Sequence, residues 1–169
     1  MAIYAQILYH VVFTTKHREA RLGKSKRPEL YKFMWEHLKA KHCKLHRIGG
    51  TEEHVHLLIT LHPAVALGTL INELKVLSET WIKSNYIYKP FEGWQEGYAA
   101  FTHALPDRER LIESIKEQEE LHKSITFREE FEELLDEAGL KIADDDEEWF
   151  DSEEGTLDGG LYKVMSEDE

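Results

Sequence analysis

Residues 3–15, IYAQILYHVVFTT, are almost continuously apolar, β-branched or aromatic, and contain no glycine or proline, which predicts a strand. Lys16-His17-Arg18 ends it with a basic loop. Pro28 suits the first turn of a helix, and Leu30, Phe33, Met34, His37 and Leu38 then recur at helical spacing to about His42. Residues 43–48, CKLHRI, predict a second strand closed by Gly49-Gly50, and residues 54–62, HVHLLITLH, a strongly apolar third. The short Gly-Gly-Thr-Glu-Glu connection predicts a hairpin between them. Leu67, Leu70, Ile71, Leu74, Leu77 and Trp81 define the inner face of a helix over 66–84. An aromatic loop, Tyr86 to Trp94, leads to a short fourth strand at 97–103. Helices follow at 107–122, after Pro106, and at 126–138, stopped by Gly139.

The predicted order is strand-helix-strand-strand-helix-strand, then two helices. It implies an α+β fold: a ferredoxin-like split βαβ with a four-stranded antiparallel sheet, followed by two C-terminal helices. Residues 143–169 differ in kind, with 12 acidic residues among 27, and predict a solvated acidic tail that only Trp149 and Phe150 could pin to the body. The expected division is a domain over 1–142 and a tail over 143–169.

Charge changes how the front of the chain is read. The whole chain carries −12, which argues against nucleic acid. Split at residue 100, the front has 14 Lys and Arg against 9 Asp and Glu, and the remainder 7 against 24. The front is therefore net +5 and holds eight of the ten histidines, while the back is net −17. One cysteine, Cys43, excludes an intrachain disulfide and a four-cysteine zinc site. No apolar run is long enough to span a bilayer and no signal-peptide pattern opens the chain, so the expected compartment is the cytoplasm, with no membrane partner.

Several residues could carry chemistry. His54 and His56, at i and i+2 of a strand, project from the same face and could ligate a divalent metal; the alternative is a merely half-exposed strand. Glu52 and Glu53 could orient these imidazoles or be plain turn residues. Ser114, Gln118 and His122 stack on one helix side, and the Gln118 carbonyl oxygen suits Mg²⁺ or Mn²⁺; a polar helix face is the alternative. Lys16, Arg18 and their basic neighbours could contact phosphates or solvate a loop. Lys75 could aim at a backbone phosphate or lie on the helix surface.

Taken together, YHVVFTTKHR, IGGTEEHVHLLITL, ELKVLSETWIK, the Trp94-Gln95-Glu96-Gly97-Tyr98 run with Phe101, and SIKEQEELHKSITFREEFEELL resemble the single-tyrosine HUH transposases, the insertion-sequence-200-type enzymes and their REP-associated relatives. The resemblance spans roughly residues 4–150. It implies that His54, His56 and Gln118 hold a divalent metal, Mg or Mn, which polarises the scissile phosphate of single-stranded or hairpin DNA. It implies a helix tyrosine four residues before the glutamine as nucleophile, a homodimer, and no small-molecule cofactor. Lys16, Arg18 and Lys75 become DNA-binding candidates, and Glu53 and His122 supporting groups around the ligands. The departure lies at the tyrosine. Relatives read Tyr-Ile-x-x-Gln-x-x-His-His, whereas this chain has Ser114 at the nucleophile position and Leu121 for the first histidine of the pair. The expectation is a transposase-like DNA-binding protein impaired in strand cleavage; the alternative is an active nicking and strand-transfer enzyme using another nucleophile.

Overall fold

A computed structural model describes residues 1–151 of the chain. Four strands, β1 (Leu8–Thr14), β2 (Lys44–Gly50), β3 (His54–Thr60) and β4 (Ala99–His103), form one antiparallel sheet in the order β2-β3-β1-β4. Helices α1 (Arg27–Ala40) and α2 (Leu67–Ser84) provide the crossovers and cover one face. The other face carries α3 (Arg108–Lys116), α4 (Gln118–Leu121), α5 (Phe127–Glu137) and α6 (Glu147–Asp151). This is the expected α+β architecture.

Alternation along the two central strands decides what each face receives. Val11, Phe13, Val55, Leu57 and Ile59 point to α1 and α2, where Leu30, Met34, Leu38, Leu70, Ile71 and Leu74 close a continuous apolar core. Leu8, His10, Val12, His54, His56 and Leu58 occupy the intervening positions and face the later helices.

β1 is shorter than its sequence pattern, because its partners run out. β3 ends opposite Leu8 and β4 pairs only as far as Leu8, so the last link is Leu61 N–H to Ile7 O at 2.9 Å. Gly49 and Gly50 lie inside the β2 ladder opposite His56 and Val55, not in the turn. Gly49 is required by a close approach: a Cβ there would lie 2.3 Å from the Ile115 carbonyl oxygen of α3.

The helix predicted over 107–122 is broken in two. Glu117 has φ −95° and ψ 17°, which ends α3 and starts α4. The Ser114 carbonyl accepts the Gln118 side-chain amide at 3.4 Å. α5 begins with a complete capping box, Thr126 and Glu129 each bonding the other's backbone N–H. The stretch expected as tail contains α6, and both Trp149 and Phe150 are buried against Phe127, Phe131 and Leu135. Residues 152–169, the rest of that acidic stretch, lie outside the described residues. Among the described residues, no helix is long and apolar enough to cross a membrane.

Candidate metal centre and adjoining cleft

Five polar side chains from three elements and the turn after α4 meet on the later-helix face of the sheet. His54 and His56 come from the start of β3, Gln118 from α4, His122 from just beyond it, and Glu130 from α5. His54 Nε2 lies 2.8 Å from Gln118 Oε1, and His122 Nε2 lies 3.1 Å from the same oxygen. Gln118 Nε2 donates to Glu130 Oε2 at 2.6 Å. Glu130 Oε1 faces His56 Nε2 at 2.8 Å and His122 Nε2 at 3.5 Å. His54, His56, Gln118 and Glu130 are all buried.

The protons follow from donor and acceptor chemistry. Gln118 turns its amide nitrogen to the carboxylate, so Oε1 accepts, and His54 Nε2 must donate. His54 Nδ1 then accepts from Thr51 Oγ1, 3.1 Å away. His56 Nε2 donates toward the carboxylate, leaving Nδ1 to accept from His10 Nε2 at 2.8 Å. His122 meets an acceptor at each ring nitrogen, with the Ile125 carbonyl 3.0 Å from Nδ1. It is therefore the imidazolium of the group. Burial acts against this charge, but hydrogen bonding and attraction from Glu130 raise the His122 pKa above the ordinary value. Burial likewise opposes ionised Glu130, yet hydrogen bonds from His122 and His56 hold it far below the usual carboxylate range. Burial pushes His10 well below its ordinary pKa, with His56 adding to the effect. Burial lowers His56 too, against the pull of Glu130. The centre thus pairs the half-buried His122 imidazolium with the buried Glu130 carboxylate.

These groups fit a divalent cation. Three Nε2 atoms converge, and each ring has its other nitrogen on an orienting partner: Thr51 Oγ1, His10 Nε2 or the Ile125 carbonyl. Such partners fix ring orientation in metal sites. One nitrogen each of His54 and His122 and one oxygen of Glu130 lie within 4.8 Å of one another. To act as ligands through Nε2, all three rings must give up the proton there: His54 and His56 by carrying it on Nδ1 instead, and His122 by losing one of its two.

The structure distributes the other sequence candidates unevenly. Glu53 stands 3.8 Å from His54 Nδ1, too far for a hydrogen bond, and Thr51 takes the orienting role expected of it. Ser114 is exposed on α3, and its backbone carbonyl is what reaches Gln118. Lys75 is buried beneath the 94–97 segment, where Nζ donates to the Gln95 carbonyl at 2.8 Å and to that of Gly97. Burial lowers its pKa to about 8. An ammonium enclosed this way is not presented to a DNA phosphate, so Lys75 is a positioning residue for the loop before β4. Glu130 and His10 were missed from the sequence. The signals were an acid on the inner face of α5, between Phe127 and Phe131, and a histidine at the same alternation as Leu8 and Val12.

Beside His122 opens a cleft of about 850 Å³ whose wall includes Arg18, Lys24, Arg27, Lys123 and Arg128. Its cations are largely matched within the protein. Lys24 and Arg27 each reach Glu119 at 2.7 Å. Arg18, at φ 53°, stacks 5.0 Å from the Trp149 ring and donates to the Trp149 and Phe150 carbonyls. Arg128 pairs with Glu147 of α6 at 2.7 Å. Lys16 is half-buried in the 3-10 turn after β1.

A family model described as transposase IS200-like matches residues 3–118, and the chain belongs to that family. No curated protein is significantly similar in sequence. Among solved structures, a protein assigned as a transposase from Deinococcus radiodurans R1 is 18% identical with a TM-score of 0.55, covering 70% of this chain and 95% of its own. A REP-associated tyrosine transposase, solved bound to a REP hairpin, is 13% identical with a TM-score of 0.55, covering 74% of each chain. At these identities the two structures establish the shared fold.

Proposed function

We propose that this protein binds single-stranded or hairpin DNA in the cytoplasm as a transposase-family homodimer, with a divalent-metal site and without efficient strand cleavage. The carrying observation is the convergence of His54, His56 and Gln118 behind His122, which lines a cleft of mixed charge, in a chain whose nucleophile position is an exposed serine. A divalent ion such as Mg²⁺ or Mn²⁺, held by those three residues, would polarise a phosphodiester oxygen. The chain's own part is to orient the imidazoles through Thr51 and His10, and to offer Lys16 to the DNA backbone, with Arg18 and Arg128 joining it only where a phosphate displaces their partners on α6.

Attack on phosphorus needs a nucleophile, and among the described residues no tyrosine answers to that role. Tyr9, Tyr31, Tyr88 and Tyr98 pack with the core on the α1–α2 face, across the sheet from the histidines. Tyr4 and Tyr86 are exposed, with Tyr86 stacked against Lys89. The Ser114 hydroxyl is a ring-length shorter than a phenol on the same helix. The absence of an activated nucleophile, rather than a failure to bind, accounts for the proposed loss of cleavage.

Fluorescence anisotropy with a single-stranded hairpin and a blunt duplex of equal length tests the binding reading. Preference for the hairpin, with affinity falling as salt rises, is expected. Equal, negligible binding to both would overturn it. Incubation with the hairpin followed by denaturing electrophoresis tests the chemistry: wild type should give no covalent adduct, and Ser114→Tyr should give a detectable one. A wild-type adduct would establish an active nicking enzyme.

A further inference from the structure

Glu130 is the group that the family reading leaves without a task. It is a carboxylate at 5% exposure, carried by α5 between Phe127 and Phe131 and pushed into a nest of three histidines. A buried carboxylate is costly unless it is paired, and His122 supplies one counter-charge. His54 and His56, each with a second ring nitrogen held by its own partner, exceed what one ion pair needs.

The distances fit a different occupant. Ligand atoms at about 2.0–2.2 Å from a divalent ion stand roughly 3–4.4 Å from one another. The 4.8 Å limit on the His54, His122 and Glu130 donor atoms needs only slight contraction to meet that range. The site is also largely enclosed: His54, His56 and Glu130 are buried, and only His122 reaches the cleft. The Phe127 ring lies 4.6 Å from the His54 ring, and α5 covers the cluster with the same turn that delivers Glu130.

We propose that Glu130 is itself a metal ligand, and that this cluster is a closed centre for a borderline divalent ion of the Zn²⁺ type. The inference rests on the metal-site reading above and changes its chemistry. Imidazole nitrogens favour zinc-like ions over Mg²⁺, which prefers an all-oxygen shell. An anionic ligand cancels half of the ion's charge, so less remains to polarise a phosphate. With α5 roofing the site, the ion ties α5 to β3 and serves the fold.

The test uses the full chain after chelator treatment. Zn²⁺ titration by calorimetry, the Co²⁺ visible spectrum and hairpin-DNA affinity are measured for wild type and Glu130→Gln. The expected result is Zn²⁺ binding to wild type with a raised Tm, at least tenfold weaker binding to Glu130→Gln, and an altered Co²⁺ band, while hairpin affinity holds. Equal or tighter Zn²⁺ binding by Glu130→Gln would make Glu130 a plug in the ion's place and overturn the proposal. Absence of Zn²⁺ uptake by folded wild type would overturn it as well. Hairpin affinity retained in either case leaves the DNA-binding reading standing, so the two failures are distinguishable. Should Glu130→Gln not fold, Glu130→Asp keeps the charge but withdraws the oxygens by one methylene, and it must show the same weakening.

Discussion

The two faces of one sheet are built on different terms. Toward α1 and α2, β1 and β3 present only apolar side chains between them, and the core there is continuous from Val11 to Trp94. Toward α3 and α5, the same strands present His10, His54 and His56 between Leu8, Val12 and Leu58. Apolar contact on that face divides into two clusters, around Val12 and Phe131 on one side and Leu58 and Ile115 on the other. The gap is filled by a hydrogen-bonded polar group. Dispersion and water exclusion hold the first face, whereas the second depends on directional contacts among its buried polar groups. Stability is concentrated where chemistry is absent, which lets the second face carry charges that a core would otherwise reject.

The largest effect should come from the apolar face. Phe13→Ala removes a fully buried ring and its edge contact with Trp94, at a cost of about 3–5 kcal/mol by denaturant unfolding. A loss of under 1 kcal/mol would erase the distinction between the faces. On the polar face, His56→Ala strips Glu130 of one partner and strands His10, and should cost on the order of 3 kcal/mol. Its signature is specific: replacing Glu130 by Leu in the same background should recover part of the loss, because no unpaired charge then remains.

Lys75 sharpens the comparison from the opposite direction, as a charge driven into the apolar side close to Phe13. Its folded-state pKa of about 8 lies below the ordinary lysine value, so between these pH values the unfolded chain binds more protons. Stability from this residue therefore rises with pH above 8, with a limiting slope of roughly 1.4 kcal/mol per pH unit. Relative to Lys75→Met, wild type should gain stability between pH 8 and 10; parallel pH curves for the two would refute it. The smallest effect is at the cap of α5. Thr126→Ala should cost about 1 kcal/mol and speed amide exchange in α5 while leaving α2 protected.

The strands and the two crossover helices were readable because each carries one period. Alternation in HVHLLIT placed His54 and His56 on a common face, and the stripe from Leu67 to Trp81 oriented α2. Lys75 misled because a lysine reads as surface by default, and only the fold brings the Gln95 and Gly97 carbonyls over it. Glu130 was hidden for a related reason: in FREEFEELLDE it is one acid among several, and only its helical register with Phe127 and Phe131 separates it from Glu129 and Glu133. The break at Glu117 left no mark on the helical pattern.

Gly49 sets a mechanical clearance. With no side chain beneath it, α3 rests almost backbone to backbone on β2, and Ile115 sits on the stop. A methyl group there would act as a wedge, and a rigid helix answers a wedge by tilting as a unit. Gln118 is three residues beyond the pivot, just across the break at Glu117, and its side-chain amide is still tied back to the Ser114 carbonyl of α3. A tilt at Gly49 is therefore delivered to the 2.8 Å contact between Gln118 and His54, which has no slack to absorb it. The alignment of the centre is in this sense machined into a strand on the far side of the helix, by an atom that is not there.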